Sequence, residues 1–256
     1  MLDAAIWGLI QGLTEFLPVS SSGHLVLVPA FLSEVGVDIG NPDLAVTAVL
    51  HLGTLLAVLA YYRGDIIGLL RAPRAPRSRR LVGLVTLGTV PALIGLPLRD
   101  PLGAFEESPT LVGGALIVTG LILAVGSRRS GTRRLDQGTS RDAWSVGTAQ
   151  ALALIPGISR SGSTITAGLL RGFDREEAAR YSFLLAIPAI AGGGLISLLD
   201  VAATDVDLGA VLVGAVVAAV SGYAAISFLI RLLVSRGFGP FVGYCMTVGA
   251  AAVVVL

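Results

Sequence analysis

Six apolar stretches, at residues 44–62, 81–98, 110–126, 181–199, 208–230 and 240–256, each come close to the roughly 20 residues that a tilted helix needs to cross a hydrocarbon core. Recurring spans of that length set the class of the chain. Of its 256 residues 54% are hydrophobic and 14% charged, and the mean hydropathy is +0.83. The sequence therefore predicts an all-α polytopic membrane protein, built as a single integral-membrane domain over residues 1–256.

Two further apolar regions, residues 4–32 and 143–170, do not fit the pattern of a plain crossing. The first is interrupted by Gln11-Gly-Leu-Thr-Glu15-Phe-Leu-Pro-Val-Ser20-Ser21-Ser22-Gly23-His24, the second by Gln150-Ala-Leu-Ala-Leu-Ile-Pro156-Gly157-Ile-Ser159-Arg160-Ser161-Gly162-Ser163-Thr164. A charged side chain at the centre of a spanning helix costs roughly 2.5 to 3.5 kcal/mol on insertion scales, so clustered polar groups at that depth mark a site. Proline removes an amide donor and glycine loosens the backbone, so both signatures break a helix. Irregular backbone is tolerated in the membrane only where it is buried in protein or lines a wet cavity. Each region is read as a re-entrant helix pair with the signature at its turn, two kinked spans apiece being the alternative.

The charges along the chain set an orientation. All 18 basic residues are arginine. Arg63, Arg71, Arg74, Arg77, Arg79 and Arg80 fall in residues 63–80, and Arg128, Arg129, Arg133, Arg134 and Arg141 in residues 127–142. These loops lie two crossings apart, hence on one face, which the positive-inside rule makes cytoplasmic. Arg171, Arg175, Arg180, Arg231 and Arg236 join them, leaving Arg99 outside and Arg160 within the second signature. The opposite loops carry Glu34, Asp38, Asp43, Asp100, Glu106, Glu107, Asp200, Asp205 and Asp207. The run Arg71-Ala-Pro-Arg-Ala-Pro-Arg is a topology signal; no nucleic-acid partner is expected. Asp3 and the polar Gln11, Thr14 and Glu15 do not suit a cleavable signal, so the N-terminus is read as mature sequence. Cys245 has no internal partner and is read as a small core residue.

An internal repeat emerges at a constant offset of 139 positions, from Gln11 to Gln150: Leu13 meets Leu152, Ser20 meets Ser159, Ser22 meets Ser161, Gly23 meets Gly162 and Gly53 meets Gly192. Trp7 and Trp144 precede the signatures as expected of interfacial anchors. Each half, about residues 1–130 and 140–256, then holds one re-entrant helix pair plus three transmembrane helices. Three is odd, so the second half is inverted relative to the first. Inverted repeats with broken helices place their site where the repeats meet, with helix N-termini aimed at anionic groups.

The residue types name the chemistry. Gln11 and Glu15, four apart, share a helix face and point with the serine turn that follows. His24 has Glu15, Ser20, Ser21 and Ser22 nearby in sequence, and an imidazole suits proton transfer to a leaving phosphate. His51 has no such company and is read as structural. Gly157 and Gly162 have P-loop spacing, but the lysine and the preceding strand are missing, which excludes a nucleotide-hydrolysing domain. What remains is a glycine-rich turn, a helix N-terminus and Arg160, whose planar guanidinium can hold phosphate oxygens bidentately. Arg160 could instead pair with Glu15 across the repeats, which is compatible with anion binding.

Together these motifs resemble the undecaprenyl-diphosphate phosphatase (bacitracin-resistance) family over essentially the whole chain. Gln11 to His24 is similar to its first motif, Pro156 to Thr164 to its second, and Ser182-Phe-Leu-Leu-Ala-Ile-Pro188 is a further family-like run. The resemblance implies a multi-pass plasma-membrane enzyme that takes one phosphate from a C55 polyprenyl diphosphate and recycles the lipid carrier of envelope glycans. It implies Glu15, Ser21, His24 and Arg160 as the essential set, with Ser20, Ser159 and Thr164 around them; Gln11, Ser22, Gly157 and Ser161 of the same two signatures are read with these as substrate-binding residues. It also implies a divalent cation, Mg²⁺ or Ca²⁺, at Glu15, although Gln11 stands where many members carry a second Glu. A homodimer is admissible, and the site is expected to open to the outside.

Two mechanisms stand at this stage, Ser21 attacking with His24 moving protons, or a metal-activated water with Ser21 as a ligand. A second function class also stands. Inverted repeats build transporters too, so the chain could flip a polyprenyl phosphate without hydrolysis.

Overall fold

The computed structural model describes residues 1–37, 39, 40, 44–201 and 207–256. Asp38, Asp43 and Asp205, which the sequence assigns to outer loops, lie outside the described residues, as does most of the segment 200–207. The described residues form twelve α-helices and no strand beyond one isolated bridge between Arg133 and Phe173. In chain order they are α1 (Leu2–Phe16), α2 (Ser21–Glu34), α3 (Leu44–Tyr61), α4 (Arg63–Arg71), α5 (Pro76–Gly95), α6 (Arg99–Gly103), α7 (Pro109–Ser127), α8 (Ser140–Leu152), α9 (Arg160–Leu170), α10 (Arg175–Val201), α11 (Leu208–Arg236) and α12 (Gly239–Val255).

Each apolar stretch is centred on one helix, namely α3, α5, α7, α10, α11 and α12, with 81–98 running on from α5 into a 3₁₀ turn at Leu96–Leu98. Pro76–Leu98, Pro109–Ser127 and Gly209–Arg236 are long and apolar enough to cross a membrane. Val46–Tyr61 with Arg63–Arg71 makes a fourth such stretch, bent by 69°, and Gly239–Val255 is apolar but shorter. Large apolar side chains such as Leu56, Leu93, Ile94, Leu121, Leu212, Val216, Val220 and Val254 are exposed, as a lipid-facing surface requires. The protein is thus a multi-pass helical membrane protein. Both interrupted regions are broken helix pairs, α1–α2 and α8–α9, with the signature at each break.

Three expectations need correction. Residues 63–80 are not a loop but hold α4 and the first turn of α5, which Pro76 opens at its N1–N2 end. An ion pair from Asp65 to Arg180 ties α4 to α10, a long-range partner that periodicity cannot reveal. Residues 99–109 likewise contain α6 and a 3₁₀ turn. Trp7 is no interfacial anchor: it is buried with Leu50 and Ala218, whereas Trp144 is exposed.

Lipid offers helices no hydrophobic drive to associate, so close backbone approach at small residues takes over. A Cβ on Gly8 would lie 2.4 Å from the Gly214 carbonyl oxygen and one on Gly12 2.6 Å from that of Ala218, so α1 lies directly on α11. A Cβ on Gly53 would come within 2.4 Å of the Ala215 carbonyl, placing α3 against the same helix. Gly147 meets the Gly88 carbonyl at the same 2.4 Å and seats α8 on α5. These contacts hold the two broken pairs inside the bundle, where Phe16, Tyr181, Phe183 and Leu185 fill the core. Cys245 is fully buried there, as its small apolar reading expects.

Candidate active site

The first turn starts where α1 ends at Phe16 and the chain runs through Pro18 to Ser20. Ser20 has φ +70°, alone in that region among the described non-glycine residues, and strain of this kind persists only where surroundings enforce it. Its hydroxyl caps α2 by accepting from the Gly23 amide at 3.3 Å and lies 3.4 Å from the Ser22 hydroxyl. The second turn repeats that chemistry. Ser159 caps α9 by accepting from the Gly162 amide at 3.1 Å and sits 3.2 Å from the Ser161 hydroxyl. Gly157 has φ +94°, and a Cβ there would strike the Val112 carbonyl oxygen at 2.6 Å.

A residue of α7 sets the second turn. The Thr119 hydroxyl donates to the Gly157 carbonyl at 2.9 Å and accepts from the Ser159 amide at 3.0 Å. The two turns then touch, since the Ser161 hydroxyl donates to the Leu17 carbonyl at 3.1 Å. Two helix N-termini, those of α2 and α9, are thereby brought side by side. Their first amides lack intrahelical acceptors and favour negative charge in the space before them.

One buried carboxylate joins the signatures. Glu15 Oε2 accepts from Gln11 Nε2 at 2.9 Å and from the Ser21 hydroxyl at 2.7 Å. Its Oε1 accepts from Arg160 Nη2 at 2.7 Å, a pair spanning 145 positions of sequence. Low surrounding dielectric makes such a pair costly to break from one side, about 3 to 5 kcal/mol. It also leaves two polar atoms orphaned, because Arg160 Nη1 and Gln11 Oε1 are buried without a partner. Buried donors are almost always paired, so an unspent guanidinium nitrogen beside two helix N-termini offers a hydrogen bond that an anion would satisfy.

Not every expected residue meets this hub. His24, buried, gives its Nδ1 hydrogen to the Ser20 carbonyl at 2.8 Å, and its Nε2 accepts from the Tyr244 hydroxyl at 2.7 Å. It shares a face of α2 with Ser21, one turn on, but bonds to neither Ser21 nor Glu15. Thr164 donates to the Arg160 carbonyl at 2.7 Å and stands 2.6 Å from the Ser182 hydroxyl, so it steadies the helix under Arg160. Sequence reasoning missed Thr119, Tyr244 and His51, whose Nε2 is 4.0 Å from Glu15 Oε2. Their signal, a polar side chain inside an apolar span, was present, but its partner was not readable.

Among the described residues no group of three or more His, Cys, Asp or Glu is placed to hold a metal ion. Glu15 is the hub's one carboxylate among the described residues, accepting from Arg160 at Oε1 and from Gln11 and Ser21 at Oε2.

Fold and site together define a multi-pass helical membrane protein in which two helix-breaking turns close around one carboxylate–guanidinium pair. The chain belongs to the family of bacitracin resistance protein BacA, whose sequence model matches residues 4–251. Curated relatives agree along the full length. An undecaprenyl-diphosphatase of Nocardioides sp. is 44% identical over 100% of this chain and 96% of its own. One from Trichlorobacter lovleyi is 41% identical over 100% and 97%, and one from Methanosphaera stadtmanae 38% identical over 99% and 97%.

Proposed function

We propose that this protein hydrolyses undecaprenyl diphosphate to the monophosphate and inorganic phosphate at the Glu15–Ser21–Arg160 cluster. The observation that carries the reading is the Ser21 hydroxyl held 2.7 Å from a buried carboxylate whose other oxygen binds Arg160. Full-length similarity to proteins named undecaprenyl-diphosphatase supplies the lipid. Arg160 receives the diphosphate with its free Nη1, and the N-termini of α2 and α9 offset the remaining charge. Ser21 Oγ attacks the terminal phosphorus, its proton passes to Glu15 Oε2, and the bridging P–O bond breaks to release the lipid monophosphate. Water then attacks the phosphoserine phosphorus, Glu15 returns its proton to the departing Ser21 oxygen, and both hydrogens of the water leave with the inorganic phosphate. His24 takes part through the Tyr244 hydroxyl, the half-exposed end of that pair. A divalent cation, Mg²⁺ or Ca²⁺, would add to this neutralisation of the diphosphate, with Glu15 as the carboxylate to hold it.

The same local geometry at an offset of 139 positions supports an inverted repeat. Ser20 and Ser159 make equivalent caps, Gly8 seats α1 on α11 as Gly147 seats α8 on α5, and Gly113 faces Ala252, its own counterpart. The arginine asymmetry supports residues 63–80 and 127–142 on the cytoplasmic side of the plasma membrane and a site open to the outside. A flippase needs an anion grip but no hydroxyl aligned on a base, which favours hydrolysis. Phosphate release from undecaprenyl diphosphate by purified protein in detergent, with and without chelator, tests this. Lipid binding without phosphate release under any divalent cation would leave transport as the function.

A further inference from the structure

His51 stands in the middle of α3, outside both signatures, with about a third of its side chain exposed. Its Nδ1 lies 2.8 Å from the Thr47 carbonyl oxygen, and a carbonyl only accepts, so Nδ1 carries the hydrogen. That bond fixes the ring and turns Nε2 toward the hub. Nε2 stops 4.0 Å from Glu15 Oε2, the oxygen that already accepts from Ser21 and Gln11, and so falls short of a hydrogen bond. Arg160 meets the other oxygen of the same carboxylate. A guanidinium on α9 and an imidazole on α3 therefore flank Glu15, Arg160 Nη1 without a partner and His51 Nε2 with no hydrogen bond, its nearest charged neighbour being Glu15 Oε2 at 4.0 Å.

We propose that His51 is a further substrate-contacting residue, whose Nε2 hydrogen-bonds the terminal phosphate of the diphosphate as Ser21 approaches it. This inference rests on the phosphatase reading. Nε2 can then form a hydrogen bond with a phosphate oxygen while Nδ1–H stays on Thr47, and the charge of the phosphate strengthens that bond. Prior anchoring by Thr47 means that little side-chain freedom is lost on binding. A purely structural histidine would have both ring nitrogens hydrogen-bonded, whereas His51 has only Nδ1 so engaged and keeps about a third of its side chain exposed.

The test compares His51→Leu and His51→Gln with wild type in detergent, measuring phosphate release against undecaprenyl diphosphate concentration. Loss of a charge-assisted hydrogen bond predicts a fall in kcat/KM of about ten- to a hundredfold in the leucine variant, carried mainly by KM. Glutamine places its amide NH₂ near the Nε2 position and should recover most of that loss. A leucine variant with wild-type kcat/KM overturns the proposal. So does a glutamine variant as impaired as leucine with KM unchanged, since that pattern belongs to proton transfer or packing. Binding of the lipid diphosphate is measured on the same preparations. If wild type releases no phosphate, the hydrolase reading has failed separately, and equal binding by wild type and His51→Leu then overturns the contact itself.

Discussion

Thr119→Val removes one oxygen and almost no volume, yet it should disable a site to which Thr119 contributes no chemistry. The hydroxyl is buried and fills two needs at once, those of the Gly157 carbonyl and the Ser159 amide. Valine satisfies neither, and each buried backbone group left unpaired costs about 1 to 3 kcal/mol. Relaxation of the turn recovers part of this, so about 2 to 4 kcal/mol is a fair working range. The strain falls on the residue just before Arg160. Occupancy of the working turn should drop by about thirtyfold or more at 1.4 kcal/mol per decade. Initial rates of phosphate release on wild type, Thr119→Val and Thr119→Ser give the comparison. Serine keeps both bonds and should stay within about threefold of wild type. A valine variant with more than half of wild-type activity would refute the claim that this hydroxyl sets the turn.

Other predictions follow from the same geometry. Arg160→Ala, and largely Arg160→Lys, should lower turnover by about a hundredfold or more, because a preorganised planar donor is lost; near-full activity of either in a phosphate-release assay contradicts the site. Gly157→Ala should be inactive or fail to fold, since its Cβ meets the Val112 carbonyl at 2.6 Å and the residue must hold φ +94°; activity and size-exclusion behaviour report both outcomes. Tyr244→Phe strips the hydroxyl from His24 and should lower kcat by about tenfold with little change in KM, read from saturation curves. With Cys245→Ser as background, the exposed positions Glu107 and Ser130 test orientation. An impermeant thiol reagent added to intact cells should label Glu107→Cys and spare Ser130→Cys, and the reverse pattern inverts the topology.

Much of the site was legible because membrane depth makes polarity conspicuous. Gln11, Glu15, Ser21 and Arg160 stand out against their apolar neighbours, and the structure joins all four at one carboxylate. The breaks at Pro18 and Pro156-Gly157 likewise separate α1 from α2 and α8 from α9 as the signatures require. What could not be read was partnership. His51, Thr119 and Tyr244 are isolated polar residues in α3, α7 and α12, and only packing brings them to the turns. The arginine-rich segment after α3 reads as a loop, yet Asp65 finds Arg180 on α10 and α4 forms. Trp7 misleads for a similar reason. Its indole lies against α3 and α11, so tertiary burial overrides its usual preference for the interface.

The most direct test of the central claim is acid-quench trapping with undecaprenyl diphosphate labelled in its terminal phosphate. The account predicts label on Ser21 during turnover, absent from Ser21→Ala, which should bind the lipid yet release no phosphate. Glu15→Gln, which removes the proton acceptor, should form little phosphoserine. Wild-type turnover with no protein-bound label, together with a Ser21→Ala variant that keeps a measurable rate, would show that water attacks directly and contradict the account.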